Sequence, residues 1–231
     1  MDLRAHDSPT PTAHGSHAVR TLAPFAAALI ALLALATPAH GALPAAGSST
    51  LPACMALCPF GDLPFAVTVR DLAANPVAGS TVVLDFSTCP LANLCVSVQP
   101  PGLIVDPVGR TMRALTDASG NVTFAAHVGG TGPAGSVRVF ADGVLLRSYA
   151  LATPDQDGNG VVTMIIGQDG PLFSARLGTA DPRADFDCSG AVDSADEAIF
   201  FQHQSQACGG FVDPARRSTW KVMSTAMVGA S

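Results

Sequence analysis

The sequence predicts a mainly β protein: an antiparallel β-sandwich over residues 42–151, then a small α-helical module over residues 152–209. Three observations carry that expectation. Apolar and polar residues alternate in short runs between residues 62 and 150, and turn-forming pairs punctuate those runs about every ten residues. Acidic residues then crowd into 155–197, where eight Asp and one Glu face only Arg176 and Arg183, a net charge of −7.

Residues 1–41 read as an export signal. Arg20 precedes fifteen apolar residues, Leu22 to Ala36, and small residues stand at Ala39 and Gly41, the spacing that suits cleavage. The run is short for a bilayer span, which takes about 20 residues. An N-terminal anchor is the alternative reading. No later apolar run approaches that length, so no stable membrane span is expected after cleavage. Export places the mature chain outside the cell, at the cell surface or in a periplasm.

Within the sandwich, Phe65, Val67 and Val69 fall on one face of a strand, as do Val82, Leu84 and Phe86. Val122, Phe124, Ala126 and Val128 repeat the pattern, followed by Val137, Val139 and Ala141. Period-two alternation describes half-buried strands. The turns between them are Asn75-Pro76, Ser119-Gly120-Asn121, Gly129-Gly130 and Asp142-Gly143, the last suited to a two-residue hairpin because both of its central positions need positive φ. His127 is expected at the surface. The wording VRDLAANPVAGSTV (69–82) with TDASGNVTF (116–124) resembles the bacterial immunoglobulin-like domains of the invasin and intimin type. That resemblance implies an Ig-like β-sandwich acting as a spacer, stalk or adhesion module, with no catalysis of its own.

Six cysteines in an exported chain read as disulfides. Cys54, Cys58, Cys89 and Cys95 form one group, with three pairings open, and Cys188 and Cys208 form another. The C-x3-C and C-x5-C spacings also fit zinc, which an oxidising compartment disfavours. Cys188 and Cys208 bracket the second loop–helix repeat and can staple it, although a helix of about three turns would hold them some 15 Å apart.

The acidic block contains two versions of one loop. In DFDCSGAVDSAD (185–196), Asp185, Asp187, Ser189, Asp193 and Asp196 occupy positions 1, 3, 5, 9 and 12. Gly190 stands at position 6, and Ala191 at position 7 offers a carbonyl. This is the spacing of an EF-hand calcium loop, whose alternate residues turn oxygens inward to supply six to eight ligands. Magnesium fits less well, since it demands stricter octahedral geometry. A polar turn without metal is the competing reading. Val192 at position 8 is expected to pack inward and pair with a partner loop. Ser194 and Glu197 make an S-x-x-E capping box for a following helix, in which His203 is expected to pack or face solvent.

Upstream, DQDGNGVVT (155–163) places Asp155, Asp157, Asn159, Val161 and Thr163 at positions 1, 3, 5, 7 and 9. Position 12 is Ile166, and the next acid, Asp169, comes three residues late. Asp169 precedes GPLF as Asp196 precedes EAIF. Either the loop is stretched, with Asp169 closing it, or the site is dead and only its fold survives. Loops lacking an entering helix resemble the dockerin module. That resemblance implies two calcium sites and, through Ser194 and Ala195 at positions 10 and 11, a cohesin-like partner. Residues 210–231 read as a flexible basic tail.

These features exclude some classes. The acidic block repels nucleic acid. The sequence has no G-x-S-x-G, H-E-x-x-H or phosphate loop, and in the mature chain only His127 and His203 could act as histidine bases. The expectation is an exported, non-enzymatic, calcium-binding structural or interaction protein. A docking subunit for polysaccharide degradation is the alternative, and a secreted hydrolase has the least support.

Overall fold

The computed structural model describes residues 42–211; the expected signal (1–41) and residues 212–231 lie outside the described residues. Among the described residues, ten strands, two α-helices and one 3-10 turn occur: β1 (Met55–Ala56), β2 (Phe65–Thr68), β3 (Thr81–Asp85), β4 (Ile104–Asp106), β5 (Thr111–Leu115), β6 (Asn121–Phe124), β7 (Gly132–Ala141), β8 (Val144–Ala152), α1 (Asp169–Ser174), α2 (Ser194–Gln202), β9 (Gln206–Ala207) and β10 (Gly210–Phe211), with the 3-10 turn (Val96–Val98) between β3 and β4. The protein is mainly β. The β9–β10 pairing carries structure into the first two residues of the segment read as tail.

Six strands form one sheet in the order β1-β8-β7-β3-β5-β4, while β2 and β6 pair separately. All neighbours are antiparallel except β1 and β8. The alternation fixes which side chains turn inward. Phe65, Val67, Val122 and Phe124 from the two-stranded sheet share a core with Val82, Leu84, Val137 and Val139 from the larger one. Phe65 meets the ring of Tyr149 on β8 edge-on at 5.5 Å, so the two sheets touch directly. The β7–β8 hairpin turns at Asp142 (φ 46°) and Gly143 (φ 82°), both in the left-handed region, as the dipeptide requires. Asp142 Oδ1 also accepts from the N–H of Thr81 at 2.8 Å, tying the turn to β3.

Two turns of the quoted motif share one geometry. Asp71 Oδ1 accepts from the N–H groups of Ala73 and Asn75, at 2.9 and 2.8 Å. Asp117 Oδ1 accepts from Ser119 and Asn121, at 2.8 and 2.9 Å. A short side chain that satisfies the backbone two and four residues ahead is what makes Asp the first residue of such turns. His127, expected at the surface, is half-buried. Its Nδ1 lies 2.8 Å from the carbonyl of Pro59, and its backbone N–H donates to Gln99 Oε1.

The boundary read at residue 151 falls between two hydrophobic clusters within one compact unit. The second cluster gathers Val162, Phe173, Ala184, Phe186, Val192 and Phe200. Phe173 stacks on Phe200 at 4.7 Å and on Phe186 at 5.7 Å. Two disulfides join the parts: Cys54–Cys188 and Cys95–Cys208. This corrects the expected grouping. Cys188 and Cys208 do not pair with each other, because α2 runs between them and each reaches a cysteine of the β region instead. Cys58 and Cys89 are free and buried, the first held by Asp62 and the second facing the carbonyl of Thr131.

The disulfides close spans of 134 and 113 residues. Removing either pair as a double Cys→Ser variant is therefore expected to cost about 2–5 kcal/mol in denaturant unfolding. Phe200→Ala should cost about 3–5 kcal/mol by leaving a cavity against Phe173. By the same measurement, Phe201→Ala, at a half-exposed position, should stay within about 0.5 kcal/mol.

Candidate metal centres in two matching loops

The two acidic loops are wired alike. In the first, Asp155 at position 1 accepts from the N–H groups of Gly158 (3.0 Å) and Gly160 (2.8 Å). In the second, Asp185 accepts from Ser189 (3.0 Å) and Gly190 (2.9 Å). The closing carboxylates match more closely. Asp169 Oδ1 takes the N–H groups of Gln156 (2.6 Å) and Asp157 (3.1 Å), while its Oδ2 takes that of Thr163 (2.8 Å). Asp196 Oδ1 takes those of Phe186 (2.6 Å) and Asp187 (3.3 Å), and its Oδ2 that of Asp193 (2.9 Å). These are positions 2, 3 and 9 in both loops. Asp169 therefore does the work of position 12, and the three extra residues are taken up between Thr163 and α1.

Backbone conformation repeats as well. Position 6 is left-handed in both loops, at Gly160 (φ 86°) and Gly190 (φ 89°), and so is position 4, at Gly158 (φ 76°) and Cys188 (φ 64°). Cys188 holds a conformation that favours glycine, and its disulfide to Cys54 anchors it there.

A further correction concerns position 8. Val162 and Val192 are both fully buried, but they do not pair with each other. The Val162 N–H donates to Gln206 and its carbonyl accepts from Ser205, at 2.8 and 2.9 Å; Val192 likewise donates to Thr179 and accepts from Gly178, both at 2.8 Å. Each loop thus pairs with the segment that follows the other loop's helix, an exchange that relates the two halves by a pseudo-twofold. Phe173 and Phe200, each four residues after a closing Asp, stack across that relation.

The helix start also differs from expectation. Its N-cap is Asp193, not Ser194, and the box is closed by Asp196, not Glu197. Asp193 Oδ1 accepts from Ala195 N–H at 2.7 Å. A carboxylate that must reach back to close the loop is already placed to cap the helix, so α2 begins one residue earlier than the S-x-x-E pattern implies. Ser194 and Ala195 are left exposed at the helix start.

In each loop, three carboxylates converge: Asp155, Asp157 and Asp169 each bring an oxygen within 4.8 Å of the others, as do Asp185, Asp187 and Asp196. The remaining expected ligands stand beside them in turns. Asn159 Oδ1 accepts from Val161 N–H at 2.9 Å, and Ser189 Oγ donates to the carbonyl of Ala191 at 3.1 Å. Thr163 Oγ1 lies 3.4 Å from Asp169 Oδ2. Every donor is oxygen, which suits a hard cation.

Burial, reinforced by neighbouring carboxylates, raises the pKa of Asp155 to about 7; burial likewise raises that of Asp169 to about 6. Burial also raises that of Asp185. Asp181, outside the loops, is lowered to about 2, chiefly by its hydrogen bonds from Arg183. Asp62 and His203 belong to neither loop, yet with Cys58 they form a third convergent group. Cys58 and His203 are too distant in the chain for any spacing to mark them. No family model matches the chain, and no curated protein or solved structure matches it either. Among the described residues, no helix is long and apolar enough to cross a membrane.

A carboxylate raised from 3.8 binds its proton more tightly in the folded state than in the unfolded one. With cations chelated, the contribution of Asp155 and Asp169 to stability is full below pH ~4 and is lost as pH rises through about 6–7. Thermal unfolding in chelator is expected to show that decline across the window, and Asp155→Asn should flatten it.

Proposed function

We propose that this chain is an exported, non-enzymatic calcium-binding protein of structural or interaction type. In this reading an Ig-like β region serves as spacer or adhesion module and a dockerin-like pair of loops holds two calcium ions. The observation that supports it most is the matched wiring of the loops, in which Asp169 and Asp196 gather the same three backbone positions. Two loops that differ by three residues converge on one geometry, as expected where a common ligand shapes both. The like-charged carboxylates, two of them raised far above the usual range, are what a divalent cation would relieve. Asp155, Asp157 and Asp169 would hold one ion, and Asp185, Asp187 and Asp196 the other, with Asn159, Ser189, Thr163, Asp193 and the carbonyls of Val161 and Ala191 completing the shells. Bound calcium would neutralise the loops and fix their turns, and no chemical step is assigned to it.

A second reading is favoured by one specific feature. Ser194 and Ala195 stand exposed at the start of α2, and the stretched first loop exposes Ile165 and Ile166. A cohesin-like partner would find polar contacts at one half of the pseudo-twofold and apolar contacts at the other.

Calorimetric titration of residues 42–231 with calcium is expected to give two sites, with dissociation constants of about 10⁻⁴ to 10⁻³ M. Asp185→Ala should remove one site and Asp155→Ala the other. A tenfold excess over the dissociation constant should stabilise the fold by about 1.4 kcal/mol per site. Heats that stay the same in both variants would end the calcium reading.

A further inference from the structure

Away from both loops, the turn after β1 meets the end of α2. Cys58 is fully buried there, and its Sγ lies 2.7 Å from Asp62 Oδ1. Nε2 of His203, a residue only 2 % exposed, lies 3.2 Å from the same oxygen. One ligand atom from each of the three lies within 4.8 Å of the others. Sulfur, imidazole nitrogen and carboxylate oxygen converge on one point, a donor set foreign to the oxygen-only loops.

We propose that Cys58, Asp62 and His203 form a binding site for a borderline-soft divalent transition metal, zinc by its chemistry. Zinc takes thiolate, imidazole and carboxylate in tetrahedral array at about 2.0–2.3 Å, which sets ligand atoms roughly 3.3–3.7 Å apart. The Asp62–His203 separation of 3.2 Å is just short of that range. Binding releases the Cys58 proton to solvent, and the sulfur moves off the carboxylate oxygen to its own coordination position.

Three details around the cluster suit a metal better than a bare hydrogen-bond network. His203 Nδ1 lies 2.6 Å from the carbonyl of Ile199. A carbonyl can only accept, so Nδ1 carries a proton and Nε2 is the nitrogen turned toward Asp62; metal-bound histidines are held in this way. The N–H of Gly61 donates to Cys58 Sγ at 3.2 Å, a contact that favours the thiolate a metal requires. Third, Gln206 is 3 % exposed and gives its Nε2–H to Asp62 Oδ2 at 3.1 Å, yet its Oε1 has no partner. Burying an amide oxygen unpaired costs free energy. A water on the metal's fourth position, donating to Gln206 Oε1, satisfies it. The Asp62 side chain is 36 % exposed, which leaves a path for the ion.

Nucleophilic catalysis by Cys58 fits worse. Cys58 is fully buried behind Asp62, out of reach of a substrate, whereas a reactive cysteine is partly exposed.

The test uses residues 42–231 in excess calcium, so that the acidic loops are occupied, with cobalt(II) as the spectroscopic probe for zinc. The expected result is one cobalt per chain, a thiolate-to-cobalt charge-transfer band and tetrahedral d–d bands, all displaced by one equivalent of zinc. Cys58→Ser should abolish the charge-transfer band, whereas Cys89→Ser and Asp185→Ala leave it intact. Gln206→Leu should keep the band but weaken zinc retention by about 10- to 100-fold. The proposal is overturned if folded wild-type protein gives no such band in excess cobalt, or if the band survives in Cys58→Ser. The wild-type spectrum decides even where a variant fails to fold, and a calcium stoichiometry of zero would leave this result untouched.

Discussion

Asp169 and Asp196 are the fixed points of the C-terminal half. Each is fully buried, and each gathers backbone N–H groups from three separate positions of its loop. A charge-assisted bond to a backbone donor is roughly twice as strong as a neutral one, and three of them converge on each side chain. The consequences spread outward. Asp169 opens α1 and Asp196 closes the capping box of α2, so the closing of each loop also sets the helix behind it. Those helices then deliver Phe173 and Phe200 to the same stack. Neither loop could slip by a residue without breaking the carboxylate contacts, the helix start and the aromatic contact together.

The same constraint explains why so short a segment holds a shape. Two helices of six and nine residues have little stability alone. Here each is anchored at its start by a loop, and each is followed by a segment paired with the opposite loop's position 8. The exchange between Val162 and residues 205–206, and between Val192 and residues 178–179, knits the halves without a long hydrophobic face.

The β region was legible because its signal is local. Period-two runs such as Val82, Leu84 and Phe86 report burial directly, and Asp142-Gly143 reports the hairpin through the φ angles it needs. The spacing of carboxylates in 185–196 marked the second loop, and the shared Asp-x-x-x-Phe of 169–173 and 196–200 pointed to Asp169 despite the insertion. What escaped depends on contacts distant in sequence. Cys54 and Cys188, or Cys58 and His203, are brought together only by the packing of α2 against the β1 end. No turn propensity or periodicity encodes that. The capping box escaped for another reason: Ser194 and Glu197 satisfy the pattern, but loop closure by Asp196 outweighs it.

The two cross-links also decide how the molecule carries tension. Cys54 is bonded to Cys188 and Cys95 to Cys208, so the shortest covalent route from residue 42 to residue 211 leaves the β region at Cys54. It rejoins the chain at Cys188 and continues through Ser189 to Cys208. Once the hydrogen bonds of residues 45–52 to the β region give way, a pull on residues 42 and 211 loads the second acidic loop and α2, a stretch that spans at most about 70 Å fully drawn out. The strands sit in a slack branch of the covalent circuit. The carboxylate contacts of Asp196 lie on the loaded branch.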